Sequence, residues 1–335
     1  MFLNNFASQS IGILGVGAAL PERVMTNYDL EKMVETSDEW IRTRTGVRER
    51  RIKSEDQTNS DFGAEASRKA IAKAGITPQD IDLIIYCTYT GDEIMPSTAC
   101  RLQQKLGITG CAAFDLNAAC TGFVYGLTVG NQMIRGGLAR HALVVGCDVN
   151  STVVDWTDRG TCCVFGDGAG AVVLGPVAEG KGILGEYLGA DGGGGDMLVI
   201  PAGGSRVPAS AQTVEARQHF IQMNGNEVFK FAVKILGPAI DRALERAGMT
   251  SDQLDFIAPH QANIRIIESA AKRFSIPMER VLCNIENYGN TSAGTIPILL
   301  AEAEESGRLQ DGHVVAMVAM GAGLTWGAAI VRWGR

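Results

Sequence analysis

Short, continuous apolar runs alternate with amphipathic stretches along most of this 335-residue chain. The runs at residues 81–87, 142–147, 254–260 and 314–319 have the length of strands and are bounded by polar or glycine-containing turns. Such runs are typical of strands buried on both faces. Stretches with helical periodicity lie at residues 98–106, 123–135, 263–274 and 296–304. Helices that alternate with buried strands predict an α/β fold with parallel strand pairing.

The chain contains one pattern twice. Residues 70–77 match residues 243–250 at a spacing of 173 (243 − 70), and each copy leads into an apolar run. A duplicated pattern in a chain of this length predicts two similar halves, residues 1–182 and residues 183–335, that pack together. The junction between such halves, near the ends of the strands, is where we expect a functional site.

A second match places reactive side chains in corresponding turns. Residues 115–122 match residues 285–292 at a spacing of 170 (290 − 120), so that Cys120 and Asn290 would occupy the same turn in opposite halves. His260 ends an apolar run of the second half. If the halves are related by a two-fold pseudosymmetry axis, Cys120, His260 and Asn290 should converge.

The composition argues against several classes of protein. The net charge is −7, whereas nucleic-acid binders are usually basic, so we expect no nucleic-acid partner. The eight cysteines lack the spacing of zinc sites and indicate a reducing compartment, so we expect no bound metal. No apolar run reaches the roughly 18 residues of a membrane span. We therefore expect no membrane association and a cytoplasmic location.

Cys120 differs from the other cysteines in its surroundings. It lies in a run of small residues, 117–122, that opens a predicted helix. Small neighbours leave the sulfur accessible, and the N-terminus of a helix favours the thiolate. A buried structural cysteine is the alternative interpretation. Each partner residue also has a plainer interpretation, because a lone histidine such as His260 is often structural and Asn290 could simply form a turn or cap a helix.

Several segments together resemble the β-ketoacyl-acyl-carrier-protein synthase III family, the initiating condensing enzymes of bacterial fatty-acid synthesis. The resemblance covers nearly the whole chain and includes residues 36–50, 117–123, 158–170, 224–230, 259–265, 289–292 and 323–327. It implies a thiolase-like, five-layered αβαβα fold of two duplicated halves, and a homodimer.

The resemblance also implies roles for the three converging residues. Cys120 would accept an acyl group from acyl-CoA, and malonyl-acyl-carrier protein would then lose CO2. His260 Nε2 and Asn290 Nδ2 would donate hydrogen bonds to the resulting enolate, and the backbone N–H groups of Cys120 and of the 321–323 turn would hold the tetrahedral oxyanion. The implied reaction needs no metal or tightly bound cofactor, and acyl-CoA is a substrate.

Further residues correspond to the binding positions of the family. The resemblance implies a coenzyme A clamp of Trp40, Arg44 and Arg159, and a pantetheine channel lined by Thr45, Gly160, Asn226 and Asn263. Read without the family, Arg44 and Arg159 would be surface ion pairs. A carrier-protein surface would comprise Lys230, Lys234, Gln261, Arg265, Lys272 and Arg273, for which a solvated charged face is the alternative.

The primer pocket would be lined by Met95, Phe165, Met223 and Met320, with Met95 reaching the partner subunit. Met95 and Met320 stand where family members often have phenylalanine, so a longer or branched primer than acetyl is compatible with the sequence. A same-fold ketosynthase of a specialised pathway and a catalytically silent scaffold are the remaining alternatives. A degradative thiolase is disfavoured, because residues 319–325 lack the second cysteine of that chemistry.

Overall fold

The computed structural model describes residues 9–335, and its helices and strands follow the alternation expected from the sequence. The α-helices are α1 Asn27–Glu31, α2 Asp38–Thr45, α3 Asn59–Ala74, α4 Thr98–Leu106, α5 Gly122–Arg135, α6 Arg159–Cys162, α7 Ala211–Glu215, α8 Gly225–Ala247, α9 Ile264–Arg273, α10 Ile285–Tyr288 and α11 Thr295–Glu305. The strands are β1 Ile11–Ala19, β2 Val24–Thr26, β3 Glu49–Arg51, β4 Leu83–Cys87, β5 Ala112–Leu116, β6 Ala142–Val149, β7 Asp167–Pro176, β8 Gly182–Ala190, β9 Leu198–Val199, β10 Gln222–Met223, β11 Phe256–Pro259, β12 Val314–Gly321 and β13 Thr325–Arg332.

Two mixed sheets form the framework. The first has the order β1-β7-β6-β4-β5 and the second, read in the same direction, β8-β13-β12-β11. In the first sheet β4 pairs in parallel with β5 and β6, while β7 is antiparallel to β6 and to β1. In the second, β11 and β12 are parallel, while β13 is antiparallel to β12 and β8. The α/β class is confirmed, but the expectation of parallel pairing holds only in part.

Alternate residues of each central strand face different cores, which stacks the elements in five layers. In β4, Leu83 and Ile85 join the core around α5 and α11, while Ile84 and Tyr86 face α3 and α4. In β12, odd-numbered residues face α5 and α11, and even-numbered residues face α8 and α9. The order is therefore α3/α4, first sheet, α5/α11, second sheet, α8/α9, which is the αβαβα arrangement expected for a thiolase-like fold.

Local signals explain why the repeated motif ends one helix and starts the next strand. Gly75 and Gly248 close α3 and α8 in the left-handed conformation that glycine adopts readily. Thr77 and Thr250 then open short 3₁₀ turns with capping boxes formed by Asp80 and Gln253, and the chain passes into β4 or β11.

The spacing of 173 persists through both halves, which corrects the second match made from sequence. The 3₁₀ turns Ala119–Thr121 and Ser292–Gly294 are 173 residues apart (292 − 119), as are the starts of α5 and α11 (295 − 122). Cys120 therefore corresponds to Ala293, and Asn290 corresponds to Asn117. In both halves that asparagine accepts a hydrogen bond from the backbone N–H two residues later, at 3.2 Å from Ala119 and 2.8 Å from Ser292.

The boundary expected at residue 182 stays a prediction about domains. In sequence, the last strand of the first sheet, β7, ends at Pro176, and the first strand of the second sheet, β8, begins at Gly182. Residues 1–8 of the proposed first half lie outside the described residues. Within residues 9–335, no helix is both long and apolar enough to span a bilayer.

Glycine lets the middle layer pack closely on the first sheet. A Cβ atom at Gly146 in β6 would lie 2.2 Å from the carbonyl oxygen of Ala293, which is far inside van der Waals contact. The neighbouring group is backbone in a buried turn, so it cannot move aside as a flexible side chain could.

We therefore expect Gly146→Ala to lower the free energy of unfolding by roughly 1–3 kcal/mol, the usual cost of overpacking a core. Chemical denaturation would measure it. Gly204→Ala is the control, because nothing lies within 4 Å of a Cβ atom there. Equal stability of the two variants would contradict the close packing described for Gly146.

Candidate functional site

One cavity of about 500 Å³ joins the two halves. Its inner end is lined by Cys120 from the first half and by His260 and Asn290 from the second, so the three residues expected to converge do so. The outer part runs between α2, α6 and the N-terminal turns of α8 and α9. Its volume lies within the range of small-molecule sites.

Cys120 sits in a sharp turn between β5 and α5. The preceding residue, Ala119, has φ of 46°, a left-handed value that non-glycine residues seldom adopt. This conformation reverses the chain just before the buried helix α5. Cys120 itself is 7% exposed, so its sulfur is nearly enclosed.

Burial also sets the proton state of the thiol. Desolvation, with a smaller contribution from the charge of Asp148, raises the pKa of Cys120 to about 12, and the neighbouring polar groups of Ser292, Asn290 and its own backbone offset this only in part. The sequence led us to expect a thiolate favoured by the helix N-terminus. Desolvation outweighs that effect here, so the resting side chain is a thiol.

His260 follows β11 directly, and both its backbone and its ring are fixed by hydrogen bonds. Its backbone N–H donates to Val318 O at 2.8 Å, and its ring Nδ1 lies 2.7 Å from Thr295 Oγ1. Burial lowers the pKa of His260 to about 3, so the ring is neutral at physiological pH. Because Nδ1 is occupied by Thr295, Nε2 is the nitrogen left to face the cavity.

The amide of Asn290 is oriented by its own turn. Its Oδ1 accepts the Ser292 N–H at 2.8 Å, which leaves the NH2 group as the end available to the cavity. Its backbone bonds across to the segment that precedes β7, where Asn290 N donates to Val164 O at 2.9 Å. Asn290 therefore presents a hydrogen-bond donor beside Cys120.

The turn after β12 approaches the backbone of Cys120 closely. A Cβ atom at Gly321 would lie 2.8 Å from Cys120 N and 3.0 Å from Thr121 N. A residue with a side chain would not fit, which explains a glycine at this position. The approach brings the backbone of residues 321–323 beside that of Cys120, as an oxyanion site requires.

Aromatic rings and cations line the mouth of the cavity. The Arg159 guanidinium lies 5.2 Å from the centre of the Trp40 ring, and the Arg265 guanidinium lies 5.0 Å from that of Phe229. Arg44 also lines the entrance, and Asn263 donates to its carbonyl oxygen at 2.9 Å. Rings and guanidinium groups of this kind suit a ligand with a base and several phosphates.

The cavity contains most of the residues singled out from the sequence. Those that line it are Trp40, Arg44, Thr45, Cys120, Arg159, Gly160, Phe165, Met223, Asn226, His260, Asn263, Arg265, Asn290 and Met320. Among the described residues, no cluster of three His, Cys, Asp or Glu side chains could hold a metal ion.

Other candidates lie elsewhere. Lys230 and Lys272 are on the outer surface of α8 and α9, and Lys230 is paired with Glu227 at 2.8 Å. Arg273 is paired with Asp241 at 2.5 Å. Met95 is 85% exposed and does not line the cavity of its own chain.

The prediction for Gln261 is wrong. The residue is fully buried, and its amide bonds the backbone at Pro259 O and at the N–H groups of Asn284 and Ile285. A buried side chain cannot contribute to a docking surface. Gln261 instead fixes the loop that follows β11.

Sequence reasoning missed the apolar wall of the cavity and the partner of His260. The wall includes Val228, Phe229, Ala232 and Leu236 of α8, which repeat at helical spacing and read as core residues in sequence. Thr295 carries no sequence signal for a role beside His260, because the two are 35 residues apart.

Comparisons with known proteins identify the family to which the chain is similar. The model for 3-oxoacyl-[acyl-carrier-protein] synthase III matches residues 114–192, and the model for the C-terminal part of that family matches residues 244–333. A curated relative from Symbiobacterium thermophilum, a β-ketoacyl-[acyl-carrier-protein] synthase III, is 54% identical over 97% of this chain and 98% of its own.

Solved structures of the same family are also similar to this chain. The crystal structure of 3-oxoacyl-[acyl-carrier-protein] synthase III from Aquifex aeolicus is 43% identical, covers 96% of this chain and 100% of its own, and superposes with a TM-score of 0.89. The priming β-ketosynthase of the R1128 polyketide pathway is 35% identical, with a TM-score of 0.90 and coverage of 97% and 96%. The chain belongs to the β-ketoacyl-acyl-carrier-protein synthase III family, thiolase-fold acyltransferases that catalyse the initiating condensation of fatty-acid synthesis.

Proposed function

We propose that this chain condenses a short acyl-CoA, acetyl-CoA in the first instance, with malonyl-acyl-carrier protein to give 3-oxoacyl-acyl-carrier protein, CO2 and CoA. The observation that carries the proposal is the meeting of Cys120, His260 and Asn290 at the inner end of one cavity. A nucleophile beside two neutral donors suits acyl transfer followed by formation of an enolate.

The first step is acylation of Cys120. The sulfur adds to the thioester carbonyl of acyl-CoA, the carbonyl oxygen gains negative charge, and the C–S bond to CoA then breaks. CoA leaves with the proton that Cys120 gives up. The N–H groups of Cys120 and of the 321–323 turn stabilise the oxyanion, and their close approach at Gly321 supports this role.

The second step joins two carbons. Malonyl-carrier protein loses CO2, and the electron pair of the broken bond becomes an enolate. His260 Nε2 and Asn290 Nδ2 donate hydrogen bonds to the enolate oxygen, and its carbon attacks the thioester on Cys120. The Cys120 sulfur leaves as a thiolate and takes up a proton from solvent. Because these residues supply the nucleophile and the donors, the reaction requires no cofactor.

The entrance of the cavity would bind the nucleotide part of CoA. Trp40 and Arg159 offer a flat surface for adenine, and Arg44 adds positive charge for phosphates. Thr45, Gly160, Asn226 and Asn263 line the same cavity as Cys120 and would contact the pantetheine arm.

Carrier protein would dock where this acidic chain has local positive charge. Arg265, Lys272 and Arg273 lie on the exposed side of α9, and Lys230 and Lys234 on that of α8. The surface lies beside the cavity entrance, since Arg265 also lines the cavity. An acidic partner would be attracted to it.

A second copy of the chain is the proposed partner at the edge of the first sheet. Strand β5 occupies that edge, and the nearby loop exposes two large apolar side chains, Ile94 at 96% and Met95 at 85%. Exposed apolar groups beside a free strand edge favour association. In the dimer, Met95 would reach the primer pocket of the partner subunit.

We expect acetyl-CoA to acylate the wild-type protein at Cys120. Intact-protein mass spectrometry after mixing with acetyl-CoA should show one acetyl group on the wild-type protein. Cys120→Ser should show none, because serine is a weaker nucleophile here. Cys147→Ser is the control, because Cys147 is also buried but lies outside the cavity.

Two other results of that experiment would change the proposal. Acylation only by longer or branched acyl-CoA would favour the ketosynthase of a specialised pathway. No acylation by any acyl-CoA would refute the proposed first step.

The two donors are expected to act in the second step only. His260→Ala and Asn290→Ala should each lower the rate of condensation by roughly 100- to 1,000-fold, the usual cost of losing an oxyanion donor. Acylation of Cys120 should be retained in both variants. Product formation from malonyl-carrier protein and mass spectrometry of the acyl-enzyme would measure the two steps. Equal losses in both steps would refute this division of roles.

The proposed dimer can be tested in solution. Sedimentation velocity should give twice the chain mass of 35.6 kDa for the wild-type protein, and Ile94→Asp should shift the protein towards monomer by placing charge in an apolar contact. Val214→Asp is the control, because Val214 is also exposed but lies on α7. A monomeric wild-type protein would rule out the dimer.

A further inference from the structure

The ring of His260 has two nitrogens with different partners. Nε2 faces the cavity, whereas Nδ1 lies 2.7 Å from the hydroxyl of Thr295, the first residue of α11. His260 and Thr295 are 4% and 2% exposed, so water does not compete for this contact. Which nitrogen carries the proton of the neutral ring is set by the hydrogen bond that the other nitrogen makes.

The Thr295 hydroxyl has one proton and two possible acceptors. One is His260 Nδ1 at 2.7 Å, and the other is Ser292 O at 3.0 Å. Ser292 O already accepts the backbone N–H of Thr295, in the 3₁₀ turn that opens α11. A buried acceptor left without a donor is costly. Ser292 O therefore does not need the hydroxyl proton, and the shorter contact favours donation to Nδ1. The reverse arrangement, in which Nδ1–H donates to Thr295 Oγ1 and the hydroxyl donates to Ser292 O, would place the ring proton away from the cavity.

We propose that Thr295 is a positioning residue that donates its hydroxyl proton to His260 Nδ1 and thereby keeps the ring proton on Nε2, facing the cavity. The inference rests on the function proposed above, since the enolate needs a donor at Nε2. It deepens that function by naming the group that makes His260 a donor.

Thr295 and the turn around Ser292 thus orient both donors. The Ser292 N–H turns the amide of Asn290 so that its NH2 group is free, and the Thr295 hydroxyl fixes the tautomer of His260. Because His260 is neutral, it has only one ring proton to give. A ring with its proton on Nδ1 would present a lone pair to the enolate, and repulsion would replace stabilisation.

The tautomer can be read in the wild-type protein by nuclear magnetic resonance. The chain has four histidines, so the ¹⁵N ring signals of His260 can be assigned by comparison with His260→Ala. We expect a protonated Nε2 and an unprotonated Nδ1. The opposite assignment would overturn the inference without any need for a Thr295 variant.

Substitutions then test the effect on catalysis. Thr295→Val keeps the shape of the side chain but removes the proton, so kcat of condensation should fall by roughly 10- to 100-fold, less than for complete loss of a donor. KM for malonyl-carrier protein and the rate of Cys120 acylation should stay unchanged. Thr295→Ser keeps the hydroxyl and should restore kcat.

Thr128→Val is the matched control. Thr128 is also a helical threonine, half-buried in α5, and its hydroxyl donates to the Val124 carbonyl at 3.1 Å. Full condensation activity in Thr295→Val, or no rescue by serine, would overturn the role of Thr295. Failure of the wild-type protein itself to acylate Cys120 or to condense would instead refute the proposed function, so the two failures are distinguishable.

Discussion

The structure depends on the contact between two short turns buried between the sheets. Ala119–Thr121 and Ser292–Gly294 touch each other at the starts of α5 and α11, and each begins with a left-handed residue, Ala119 or Ser292. Gly146 and Gly321 allow backbone to approach these turns where any side chain would clash. The duplicated fold therefore supplies a rigid centre in which a nucleophile from one half meets two donors from the other.

Burial at this centre determines the charge state of the site. The same loss of water raises the pKa of Cys120 and lowers that of His260, so that the resting pair is a thiol beside a neutral imidazole. Charge then develops only during the reaction, on oxygen atoms that face oriented N–H groups. Such preorganised donors are most effective where water is excluded. The cations remain at the entrance, where a phosphate-bearing substrate would meet them.

The sequence predicted the fold class, the duplication and the convergence of Cys120, His260 and Asn290, because short repeats and apolar runs are local signals. It placed Asn290 in the wrong register, since the resemblance between two polar turns cannot distinguish Asn117 from Cys120 as its counterpart. It also assigned Gln261 to the surface, although the bonds that bury it come from residues more than 20 positions away. Thr295 could not be found, because its role depends on a tertiary contact.

Both donors and the oxyanion site should face an acyl group carried by Cys120. A crystal structure of the protein acylated on Cys120 would test this most directly. The thioester oxygen should lie within about 3 Å of Cys120 N and of a backbone N–H in the 321–323 turn. His260 Nε2 and Asn290 Nδ2 should point to the space beside the thioester carbon. An acyl group directed away from both donors, or held by other residues, would show that these groups do not form the catalytic centre.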